Sequence, residues 1–152
     1  MRIRILTTGG SIDKRYSTQD SDFLVREPSI EAMLKEANVN LDFVIEPLFR
    51  KDSLQITDED RAFIVERARL APESHLIVTH GTDTMVQTAQ ALSVIQDKTI
   101  VLTGAMQPSA FKQTDAFINV GGALIAVQTL AHGVYIVMSG RVFRANETQK
   151  NT

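Results

Sequence analysis

Short runs of aliphatic and β-branched residues alternate along this chain with segments whose apolar residues recur at helical spacing. Arg2 to Thr7, Asp42 to Glu46, His75 to Thr79, Thr99 to Thr103 and Val134 to Met138 are short and rich in Ile, Val or Leu, and read as strands. Between them, Pro28 is placed to start a helix in which Ile30, Met33, Leu34 and Ala37 follow at i, i+3, i+4 and i+7. Thr57 followed by Asp60 resembles a capping box that opens a helix stopping at Pro72. Met85, Ala89, Leu92 and Val94-Ile95 mark a third helix; Phe117, Val120, Leu124 and Val127 mark a fourth, which Gly133 can terminate. Gly121-Gly122 inside the fourth costs helix propensity and so reads as a close packing contact. Strands alternating with helices predict βαβ units: a three-layer α/β fold, flavodoxin-like, with a mainly parallel sheet covered by helices on both faces.

One stretch escapes this pattern. Ile12 to Arg26 is polar, rich in Ser, Thr and Asp and without period, which in a compact domain suggests a lid or binding loop. The 152 residues suit a single domain, long enough to bury a real core, and show no internal repeat or low-complexity segment.

Composition narrows the partners. Hydrophobic residues at 43% and charged residues at 22% are ordinary for a globular protein, and a net charge of -2 supplies no field to gather nucleic acid or anionic lipid. The absence of cysteine removes disulfides, thiolate metal sites and a cysteine nucleophile. Met1 to Leu6 is too short for the apolar region of a signal peptide, and no later run has the length of a membrane span, so the cytoplasm is the expected location.

In open α/β sheets ligands bind outside the carboxyl ends of the strands. Four of the predicted strands end in related sequences there: Thr7-Thr8-Gly9-Gly10-Ser11, Thr79-His80-Gly81-Thr82-Asp83, Thr103-Gly104-Ala105-Met106 and Ser139-Gly140-Arg141. Glycine lets the backbone leave a sheet tightly or approach a ligand, and Thr82 or Asp83 can equally serve as an ordinary helix N-cap. Residues 7–14 have neither the Walker spacing nor the dinucleotide fingerprint, and no helical period follows them, so a phosphate cradle is disfavoured. His75, His80 and His132 lack metal-ligand spacing; His80 reads better as a hydrogen-bonded structural histidine beside the site than as a ligand or base.

Taken together, Thr8-Gly9-Gly10-Ser11, His80-Gly81-Thr82-Asp83-Thr84-Met85 and Thr103-Gly104-Ala105-Met106-Gln107-Pro108, followed by Asp115, Asn119 and Val137-Met138, resemble the motifs of bacterial-type L-asparaginases and glutaminase-asparaginases, in order and over nearly the whole chain. The resemblance implies the fold of that family's N-terminal domain, here as one domain over residues 1–152, where typical members have about twice this length and a second α/β domain. It implies a nucleophile at Ser11, where the family usually has threonine, a second hydroxyl at Thr82, and an Asp83 that binds the substrate's α-amino group and orients a catalytic lysine at Lys150. Gly10, Ser53, Gly81, Thr82, Asp83 and Ala105 would bind substrate, with Leu54 where many members carry a polar residue, and Tyr16 would correspond to a mobile-loop tyrosine that closes on the nucleophile.

The chemistry these roles require is coherent. An amide carbonyl is a poor electrophile, so the hydroxyl needs a base and the developing oxyanion needs preorganised donors. A Thr82, Lys150 and Asp83 relay supplies the base, and backbone N–H groups at the strand exits supply the donors. The expected reaction is hydrolysis of L-asparagine, or a related amide, to aspartate and ammonia, without metal or organic cofactor. The alternative is a weak or inactive amino-acid-binding or regulatory module that keeps the pocket. The resemblance also implies self-association as a homodimer or homotetramer.

Overall fold

Alternate side chains of the central strands enter two different cores, and this alternation builds the molecule. A computed structural model describes residues 1–145. Its strands are β1 (Arg2–Gly9), β2 (Lys14–Ser17), β3 (Asp22–Val25), β4 (Asp42–Lys51), β5 (His75–Thr79), β6 (Thr99–Thr103), β7 (Gly133–Met138) and β8 (Arg141–Arg144). Its helices are α1 (Ile30–Glu36), α2 (Asp58–Leu70), α3 (Met85–Leu92) and α4 (Ala116–Thr129). Ile3, Ile5, Ile77, Val101 and Val137 pack with Ile30 and Leu34 of α1 and with Val120, Ala123 and Val127 of α4. Leu6, Leu76, Val78, Ile100, Leu102 and Ile136 pack on the other face with Ile64 and Ala68 of α2 and with Met85, Ala89 and Leu92 of α3. Each fully buried Ile or Leu contributes about 1.5–3 kcal/mol against exposure, so period-two patterning on both faces fixes the strand register.

The main sheet runs in the order β4-β1-β5-β6-β7-β8. Its first five strands are parallel and β8 pairs antiparallel with β7 at the edge. This is the flavodoxin-like order: the chain moves outward from β1 to β4 and then returns to the other side of β1 at β5. The reversal places a crevice between the carboxyl ends of β1 and β5.

Five strands and four helices match the sequence reading, with corrections at their ends. β4 does not stop at Glu46 but continues through Pro47 to Lys51, because an edge strand has no outer neighbour to need the missing N–H. α3 ends at Leu92, and Val94-Ile95 lies beyond it. α4 ends at Thr129, and Gly133 is the first residue of β7. Only half of the glycine pair is a packing contact. A Cβ on Gly122 would lie 3.0 Å from Val137 Cγ1, whereas one on Gly121 would meet nothing within 4 Å. Residues 12–26 hold the antiparallel β2–β3 hairpin where the sequence suggested a loop.

Both ends of α2 are closed by side chains. Thr57 Oγ1 accepts from Asp60 N at 3.1 Å while Asp60 Oδ2 accepts from Thr57 N at 2.9 Å, the capping box read from the sequence. At the other end of α2, buried Lys98 donates to the Ala68 and Ala71 carbonyls.

Candidate active site

At the end of β1 the backbone turns through Gly9 and Gly10, with φ of 106° and 91°, before the single 3₁₀ turn Ser11–Asp13. These angles favour glycine on conformation alone. Contact gives a second reason. A Cβ on Gly10 would lie 2.6 Å from Gly81 N, and one on Gly81 would lie 2.6 Å from Ser53 Cβ. The residue before Ser11 therefore touches the residue before Thr82, which in turn touches Ser53.

Hydrogen bonds fix the same three segments. Gly10 N donates to Lys51 O at 2.9 Å, joining the β1 exit to the end of β4. Thr8 Oγ1 donates to Thr79 O at 2.8 Å, joining it to β5. Ser53, 3% exposed and at the start of a 3₁₀ turn, accepts from Asp83 N on Oγ at 3.0 Å and from Thr84 Oγ1 on its carbonyl at 2.8 Å. The N-cap of α3 is Thr84, with its hydroxyl given to Ser53 rather than to the helix, so neither Thr82 nor Asp83 has the capping role that the sequence left open to them. Thr82 is half-buried and Asp83 exposed.

His80 is fully buried behind this loop. Its Nδ1 lies 2.6 Å from Gly81 O and its Nε2 2.7 Å from Thr88 Oγ1. A carbonyl can only accept, so Nδ1 carries the proton and Nε2 accepts from Thr88. Burial lowers its pKa to about 4, so it is neutral near pH 7. It is the structural histidine the sequence suggested.

The β6 exit completes the rim. His80 N donates to Thr103 O at 2.9 Å, and a Cβ on Gly104 would run into the His80 carbonyl. This packing sets Ala105, 1% exposed, beside the β5 exit. Asp115 and Asn119, which belonged to the motif without a role, hold the loop from behind: Asp115 accepts from Met106 N and Gln107 N, and Asn119 donates to Gly104 O.

Sequence reasoning missed how the hairpin is anchored. Lys14 Nζ lies 3.0 Å from Asp52 Oδ1, an ion pair between the segment after Ser11 and the residue before Ser53. Asp13, 3% exposed, accepts from Ser29 N and Ser29 Oγ at 2.9 Å each, and its carbonyl accepts from Arg26 N at 3.0 Å. Desolvation raises the Asp13 carboxyl to about 6, against the opposing pull of its Ser29 hydrogen bonds, Arg15 and Arg50. A lone acid between an isoleucine and a lysine carries no sequence signal of such a role. Tyr16 is exposed on the hairpin, edge-to-face with Phe23 at 5.4 Å, and Phe23 meets Phe111 at 5.3 Å. Gly10, Ser11, Ser53, Gly81, Thr82, Asp83 and Ala105 thus sit on adjoining strand exits, Tyr16 lies on the hairpin, and Lys150 falls outside the described residues.

A family model described as "Asparaginase, N-terminal" matches residues 2–152. The chain belongs to the asparaginase family. Among relatives of this asparaginase-family chain, L-asparaginase 1 of Escherichia coli strain K12 is 32% identical over 97% of it and 47% of the relative. A subunit of the glutamyl-tRNA(Gln) amidotransferase of Methanococcus vannielii is 31% identical over 92% of it and 34% of the relative. The chain therefore spans half or less of the length of these relatives. The solved L-asparaginase I of Vibrio cholerae superposes with a TM-score of 0.86 at 26% identity, covering 99% of this chain and 48% of that one. Such a TM-score extends the match from motifs to the asparaginase N-terminal fold.

Proposed function

We propose that this chain is an amidohydrolase that cleaves the side-chain amide of L-asparagine, giving L-aspartate and ammonia through an acyl-enzyme on Ser11. The carrying observation is the backbone contact of Gly10 with Gly81 and of Gly81 with Ser53, which brings a hydroxyl, a Thr-Asp pair and a recognition serine to one crevice of an asparaginase-family fold. The Ser11 Oγ–C bond forms as the hydroxyl proton passes to the Thr82, Lys150 and Asp83 relay. The C–N bond then breaks as that proton goes to the leaving nitrogen. Water attacks the ester in the second half, releases aspartate and restores Ser11. Backbone N–H groups at the glycine exits stabilise the oxyanion.

Ser53 and Asp83 take the substrate's α-groups in this reading, Tyr16 rides on the hairpin as a lid, and glutamine or another small amide is the competing substrate. In this reading the asparaginase-like domain self-associates and works in the cytoplasm. Among the described residues no helix is long and apolar enough to cross a membrane.

Ammonia release from asparagine and glutamine tests the reading. The native chain is expected to turn over asparagine, and Ser11→Ala to lower the rate by about 1,000-fold or more. Calorimetric binding of aspartate with no ammonia above the Ser11→Ala level would replace the enzyme by a binding module.

A further inference from the structure

The β2–β3 hairpin is held from both sides of the crevice. In the sheet order β4-β1-β5-β6, β4 and β6 flank the β1–β5 pair whose carboxyl ends form the crevice. On the β4 side, the hairpin's root makes two ion pairs of opposite polarity: Lys14 Nζ is 3.0 Å from Asp52 Oδ1, and Glu27 Oε1 is 3.6 Å from Arg50 Nη1. On the β6 side, the loop between β6 and α4 meets the same segment twice. Ser109 N donates to Ile12 O at 3.1 Å, and the Phe111 ring stands edge-to-face with Phe23, centroids 5.3 Å apart. Phe23 is the cross-strand partner of Tyr16, whose ring it meets at 5.4 Å. The exits of β4 and β6 are three strand spacings apart, about 14 Å, so a hairpin tied to both straddles the ends of β1 and β5.

The two attachments differ in kind. The root is closed by charge and by hydrogen bonds, with Arg26 N donating to Asp13 O and the Asp13 carboxylate held by Ser29. Phe23 and Phe111 meet edge to face, 40% and 38% exposed, without a hydrogen bond between them. The loop that presents Phe111 is braced, since Phe111 N donates to Pro108 O at 3.0 Å and Thr114 Oγ1 to Gln107 O at 2.9 Å. A half-exposed ring contact on a braced loop is the attachment that gives way first, with the root as its hinge.

We propose that Phe111 is a positioning residue: its ring latches the β2–β3 hairpin, through Phe23, across the mouth of the crevice, and this contact sets how often the hairpin opens. The effect on turnover rests on the lid reading of Tyr16, which the same rings hold in place. The latch itself rests on the contacts alone. Nothing in the glycine-rich strand exits encodes it, because Phe111 lies in the polar stretch between the β6 exit and α4.

The test follows trypsin cleavage of the native chain by mass spectrometry at two exposed sites, after Arg15 in β2 and after Arg69 at the far end of α2. Cleavage tracks the open population, so Phe111→Ala is expected to speed it after Arg15 by about tenfold and to leave Arg69 unchanged. Phe111→Tyr, which keeps the ring, should restore the native rate, and Phe23→Ala should match Phe111→Ala, with the double variant no faster than either. An unchanged rate after Arg15, or an equal rise after Arg69, overturns the latch. Phe23→Ala carries the comparison if Phe111→Ala does not fold. With asparagine, kcat/KM should fall by about the same factor in both alanine variants and recover in Phe111→Tyr; faster cleavage with unchanged kcat/KM overturns the positioning role. A native chain that releases no ammonia overturns the amidohydrolase reading, and the cleavage rates still decide the latch.

Discussion

At the scale of single residues, contact decides what a glycine is for. Gly81 lies in the loop between β5 and α3, where an added methyl would sit 2.6 Å from Ser53 Cβ and 2.9 Å from Ser53 N. Ser53 is itself held, by Asp83 N and Thr84 Oγ1, so the loop must move. Gly81→Ala is expected to cost about 1–3 kcal/mol and to abolish most amide turnover. Gly121, on the open side of α4, is the internal control, because Gly121→Ala meets nothing and restores helix propensity, raising stability by about 0.5–1 kcal/mol. Denaturant midpoints and ammonia assays on the two variants check both signs. The contrast also explains what was legible: residue identities at the strand exits announce a site because few other side chains fit there. The Lys14–Asp52 pair and the Asp13–Ser29 hydrogen bonds join positions far apart in sequence, whose partners only the fold reveals.

At the scale of elements, legibility followed burial. β5 and β6 lie inside the sheet with aliphatic residues entering both cores, and their limits were read without error. β2 reads Lys-Arg-Tyr-Ser, with Arg15 and Tyr16 exposed, and its turn to β3 places Ser21, not glycine or asparagine, at a φ of 51°. No apolar alternation or standard turn residue marks it. β8, Arg-Val-Phe-Arg, is a charged edge strand of the kind that blunts further pairing. The start of α2 was legible through its capping box, but its far end depends on a residue far along the chain. Lys98, 6% exposed, donates to Ala68 O at 2.9 Å and Ala71 O at 2.5 Å, carbonyls of the last turn that α2 cannot satisfy itself. Lys98→Met keeps the stem and removes the donor. It is expected to cost about 2 kcal/mol, a fall of several degrees in Tm on a calorimetric scan, with ammonia release unchanged because the crevice lies at the other end of the sheet.

At the scale of the whole molecule, stability against pH is set by two buried groups of opposite sign and one ion-pair chain. Glu73, Arg4, Glu46 and Arg67 follow one another across β1, β4 and α2, with Arg4 Nη1 at 2.7 Å from Glu46 and Arg67 Nε at 2.6 Å. Hydrogen bonding to Arg67 lowers Glu46 and hydrogen bonding to Arg4 lowers Glu73, so this stability is present above the ordinary glutamate value and fades only as pH falls below it. Asp13 and His80 act at higher pH. The Asp13 carboxyl is raised from 3.8 to about 6, so its favourable contribution is present below 3.8 and is lost as pH rises through about 6. The His80 imidazole is lowered from 6.5 to about 4, so its contribution is present above 6.5 and is lost as pH falls through about 4. Each shift is worth about 3 kcal/mol at full extent, and the two slopes oppose each other across the same window. The native chain should therefore show little net change in stability between pH about 4.5 and about 6.5, a balance that single substitutions break. Asp13→Asn keeps an acceptor for both Ser29 donors and removes the titration, so its stability should rise with pH across the window. His80→Gln removes the other titration, and its stability should fall with pH. Urea unfolding of the three proteins at several pH values measures the slopes directly, and variants that keep the native slope would show that neither buried group sets it.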